Sequence, residues 1–136
     1  MEQRDYILRE IEKISVVLLA ITGKLKKVIS KKDFEQEREM LDHDLDQSVG
    51  LNIDQLLTLS EEELKSVLNQ ERGFNFDNLE YLSDLLAEMA VLMEEDESKL
   101  AYKKAHYLLE WVDKEGKIFS FERQSKIMAL KKARPD

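Results

Sequence analysis

The chain has no cysteine, which excludes disulfides and thiolate metal ligands and fits a reducing compartment. Its one proline is Pro135, and only four glycines occur in 136 residues. An all-β chain of that length needs many more turn residues. No long hydrophobic run is present. The longest, Val16 to Ile21, has six residues, whereas a membrane span takes about 20. Glu10, Glu12 and Lys13 precede it, unlike the basic flank of a secretory signal. A cytoplasmic protein without a membrane span is therefore expected. The scattered glycines form no phosphate-binding loop, and no glycine-flanked serine nucleophile occurs. No catalysis and no cofactor are expected.

What the chain does have is helix formers. Leu, Glu and Lys dominate it. The net charge of −8 hides a pattern. Residues 1–32 hold 8 Lys/Arg against 4 Asp/Glu, residues 33–97 hold 3 against 20, and residues 98–136 hold 10 against 5. Basic ends thus flank an acidic middle. Solvated helix faces, with the ends folded back over the middle, account for this. The overall acidity speaks against nucleic acid as a partner, because phosphate contacts need a basic face.

Periodicity divides the chain into about six helices in a single domain, 1–136. The first, over 4–30, carries Ile7, Ile11, Ile14, Leu18, Ile21, Leu25 and Val28 at alternating steps of four and three. That is a continuous heptad seam. A second apolar row of Leu8, Leu19 and Ile29 runs beside it, with Val16, Val17 and Ala20 in the middle. The combined stripe is too wide for a two-stranded zipper, so one row should face the domain's own core and the other a second copy. Which row does which is open at this stage. Lys24, Lys26, Lys27, Lys31 and Lys32 crowd the C-terminal end, where cations complement the helix dipole.

An acidic helical segment follows over 33–70. It comprises a helix stopped by Gly50, a short turn of helix over 52–59, and a helix opened by the capping box Ser60-Glu61-Glu62-Glu63 and ended by Gly73. Asp77-Asn78-Leu79-Glu80 predicts the next helix start, with Leu79, Leu82, Leu85, Leu86, Met89, Leu92 and Met93 as a core stripe to about residue 94. A helix over 97–114 closes at Gly116. Ser120 caps a last helix over 121–133, with Phe121, Ile127, Met128 and Leu130 apolar.

The pair 78–94 and 97–114 resembles one tetratricopeptide repeat, a frame of about 34 residues. With the first signature position on Leu82, the later ones fall on Leu85, Leu86, Met89, Ser98, Tyr102, Ala105 and Glu110. Leu85, Tyr102 and Ala105 match in type and Ser98 is suitably small. Leu86, Met89 and Glu110 stand where Gly, Tyr and Pro are usual. The opening Arg4-Asp5-Tyr6-Ile7-Leu8-Arg9-Glu10-Ile11-Glu12 is similar to that of small uncharacterised bacterial proteins with a tetratricopeptide-like fold. The resemblance implies an all-α helical bundle in which residues 78–133 form a repeat-like hairpin plus a capping helix. It implies no activity.

Candidate ligand sites are weak. Asp42, Asp44 and Asp46 resemble the start of a calcium loop, but Gln47 and Ile53 stand where that loop needs glycine and a bidentate acid. His106 and Glu110 lie one helical turn apart, and His43 is the only other histidine. Tyr102, Tyr107, Trp111 and Phe119 fit core and hairpin packing better than a ligand box. The expectation is a non-catalytic protein–protein interaction or assembly module, a homo-oligomer with itself or an unknown protein as partner. The alternative is a small regulatory protein that binds a ligand or metal through its acidic segment.

Overall fold

The computed structural model describes residues 2–70, 73–116 and 118–133. Among them are seven helices and no strand. They are α1 (Glu2–Lys27), α2 (Lys31–Val49), α3 (Ile53–Thr58), α4 (Glu61–Gln70), α5 (Phe76–Leu92), α6 (Glu95–Glu115) and α7 (Phe121–Ala133). The fold is an all-α bundle.

Local chemistry explains most boundaries. Ser30 caps α2 by accepting from the Asp33 amide at 3.1 Å. The first helix therefore stops at Lys27 and the second starts at Lys31, not at the expected 30 and 33. Gly50 ends α2 in the left-handed region at φ 81°, where a side chain would be strained. Asn52 and Gln55 form a capping box that makes the short turn after it a true helix. Ser60 and Glu63 exchange the expected pair of hydrogen bonds, at 3.0 and 3.1 Å. The predicted run from there to Gly73 crosses residues 71 and 72, which lie outside the described residues.

The start of α5 is a correction. Its cap is Asn75, whose side chain accepts from the Asn78 amide at 2.9 Å, and Asp77 sits inside the first turn. Ser120 caps α7 by accepting from the Arg123 amide, as expected. The helix expected over 97–114 begins earlier, at Glu95.

α5 is the central helix. It packs most extensively on α6 and next on α1, while α2 lies on α1, α3 on α6 and α7 on α6. Leu82, Leu85, Leu86 and Met89 of α5 are fully enclosed, as are Ala101, Ala105, Leu108 and Leu109 of α6. Each large side chain so buried stabilises the fold by roughly 1.5–3 kcal/mol. The core is one cluster to which every helix contributes. Ala105 lets α5 come close enough for Ser83 Oγ to donate to its carbonyl at 2.7 Å. Gly73 is buried for a similar reason: a Cβ there would collide with Ile14 of α1.

Candidate interaction surfaces

The two apolar rows of α1 face opposite ways. Ile14, Leu18, Ile21 and Leu25 are buried, and Ile7, Ile11 and Val28 half-buried, so the heptad seam serves the chain's own core. On the outside Leu8 is 54%, Val16 60% and Leu19 51% exposed, beside exposed Ala20 and Gly23. Val17 is intermediate. Ile29 is exposed but lies past the end of the helix. A Cβ placed on Gly23 would meet nothing within 4 Å. The groove between this face and α2 is lined by Val16, Val17, Ala20 and Lys24 on one side and His43, Asp44 and Gln47 on the other.

A second apolar surface surrounds the α6–α7 connection. Ile118, Phe119 and Phe121 are strongly exposed, and the Phe119 and Phe121 rings meet edge to face at 4.9 Å. Phe76, at the start of α5, sits against Gly116 and adds a partly exposed ring. Phe119 therefore does not belong to the core packing expected for it. Trp111 does, while Tyr102 and Tyr107 are half-buried. Two large side chains of α7 divide from the other two: Ile127 and Leu130 point in, Phe121 and Met128 out. Periodicity alone cannot make that split on a helix so evenly mixed.

The polar side chains of the interior link helices. Asn78 is wholly buried and donates to the carbonyls of Ile11 at 3.0 Å and Gly73 at 2.6 Å, while Ser15 Oγ donates to its Oδ1 at 2.6 Å. It holds α1, α5 and the loop before α5 together. Arg38 of α2 forks onto Glu97 of α6 at 2.7 and 2.5 Å. Hydrogen bonding to Arg38 holds the Glu97 carboxyl below its usual range. Lys104 is 4% exposed and donates to the Leu57 carbonyl at 3.0 Å, satisfying the last turn of α3. Burial lowers its pKa, against the pull of Glu61 and Glu63. On α7, Arg123 reaches Glu80 at 3.1 Å, and Lys126 reaches Asp84 and Glu80 at 3.3 and 3.4 Å. Burial raises the Asp84 pKa, opposed by Lys126. Apart from the Asn78–Gly73 bond, none of these partnerships is readable from a linear pattern, because each joins residues 42 or more apart.

The weak ligand candidates find ordinary roles. Asp42, Asp44 and Asp46 stand on α2 rather than in a loop, and Asp42 Oδ1 accepts from the Ile53 amide at 2.6 Å to fix the start of α3. His106 Nε2 lies 3.1 Å from Glu110 Oε1 within α6. Among the described residues no three His, Asp or Glu side chains converge as a metal site requires, and no helix is long and apolar enough to cross a membrane. Of the repeat-frame residues on α5 and α6, Leu82, Leu85, Leu86, Met89 and Ala105 are buried, and Ser98 and Tyr102 are half-buried. Compared with family models, curated proteins and solved structures, the chain matches none.

Proposed function

We propose that this chain is a non-catalytic protein–protein interaction or assembly module that associates with itself and works in the cytoplasm. The observation that carries the reading is the outer face of α1. A helix already supplying a full seam to the core still presents Leu8, Val16 and Leu19, each more than half exposed, on its solvent side. Scattered single apolar residues are normal on a surface, but three along one helix face favour contact with another protein. The aromatic cluster of Phe119 and Phe121 offers a second contact surface. The α5–α6 hairpin plays the part of a tetratricopeptide-like pair, with Ala105 at the close contact and α7 as its cap.

Sedimentation velocity over a range of concentrations tests this. A mass that rises with concentration supports self-association. A constant mass of 16.0 kDa overturns it.

A further inference from the structure

We infer that two copies of this chain pair through the outer faces of their α1 helices, antiparallel, about a two-fold axis passing between Leu19 and Ala20. The inference rests on the self-association reading and names its surface and partner.

Glu12, Val16, Leu19, Gly23 and Lys27 recur every three or four residues and so form one stripe on the helix. All five are exposed. The stripe is self-complementary in only one of its two simple orientations. In parallel, Glu12 of one helix would lie against Glu12 of the other, and Lys27 against Lys27. In antiparallel, with the axis between Leu19 and Ala20, Leu19 lies over Ala20 of the other copy, Val16 over Gly23, and Glu12 over Lys27. Each large side chain meets a small one and each acid a base, twice over by symmetry.

Gly23 gives this register independent support. Glycine inside a helix destabilises it relative to alanine. No close approach within the chain explains it, because the space above Gly23 is open. It is explained where a second backbone comes near, with Val16 of the other copy filling the gap. The contact runs from residue 12 to residue 27, about 24 Å of helix. That is small for a protein interface, so a weak dimer is expected.

The chain's exposed Glu12 and Lys27 permit a charge swap that leaves the core untouched. Sedimentation at high protein concentration and low salt would compare wild type, Glu12→Lys, Lys27→Glu and the double variant. The expected result is a wild-type dimer, dissociation constants raised roughly tenfold in each single variant, and recovery in the double. A dimer that ignores the single reversals, or is weakened by both and not restored by the double, overturns the α1 register while self-association stands. If Phe119→Ser with Phe121→Ser abolishes a dimer that the charge reversals leave intact, the contact lies at the aromatic cluster and the inference falls. A monomeric wild type overturns the inference together with the self-association reading.

Discussion

Asn78 makes three hydrogen bonds to parts of the chain that are far apart in sequence, and it makes them in the interior. A buried amide with that many partners is worth more for what its removal leaves than for what it adds. Asn78→Ala would strand the Gly73 carbonyl away from water and take the amide partner from Ser15 Oγ and from the Ile11 carbonyl. Even with Ser15 turning back to the Ile11 carbonyl, which lies 2.9 Å from its Oγ, at least one acceptor stays unpaired. The expected loss is about 1–3 kcal/mol, read as a lower urea midpoint. An unchanged midpoint would mean that water replaces the amide at no cost. In the sequence Asn78 looks like part of a helix start, and it is. Its burial is hidden because Asn75 and Asp77 are equally good caps by residue type. The choice between them goes with a tertiary fact: with Asn75 as the cap, Asn78 reaches Ile11 and Ser15 of α1.

The elements divide into those whose partners are local and those whose partners are not. The heptad seam of α1, the capping box at Ser60 and the stripe on α5 are periodic or adjacent signals, and the sequence displays them. The direction of each α1 row is not such a signal, since both rows are aliphatic and only the packing of α5 against α1 separates them. The Arg38–Glu97 fork between α2 and α6 is likewise invisible until the helices meet. It has a testable signature. The folded-state pKa of Glu97 is lowered, so its stabilising effect is complete above the ordinary glutamate range and is lost as pH falls through the lowered value. The Glu97 side chain is 32% exposed, so solvent screening limits the gain to about 1 kcal/mol or less. Wild type should therefore melt above Glu97→Gln at neutral pH. The gap should close on acidification below the ordinary glutamate range. A gap that stays constant across that window would show that the fork contributes geometry and no charge.

At the scale of the whole molecule, the acidic middle and the basic C-terminal segment partly neutralise each other through long-range pairs. Arg123 and Lys126 on α7 meet Glu80 and Asp84 on α5 in this way. The lysines after Gly23 on α1 stay on the surface. The charge pattern was legible as folding back, but which charges meet depended on the order in which the helices pack. The same separation between a chain and its copies decides the meaning of Gly23. Within one chain it only weakens α1. Gly23→Ala fits the helical backbone and meets nothing within 4 Å. In a dilute sample of monomers it should raise stability by up to about 1 kcal/mol, a shift of roughly 3 °C in Tm. Between two chains packed at that point the added methyl takes the space of Val16 from the other copy. The same substitution should then weaken the dimer in a concentrated sample. Stability and association would move in opposite directions on one methyl group, which no purely intramolecular role for Gly23 produces. Thermal melts at low concentration and sedimentation at high concentration read the two effects separately. A stabilised monomer whose association is unchanged would place Gly23 outside any interface.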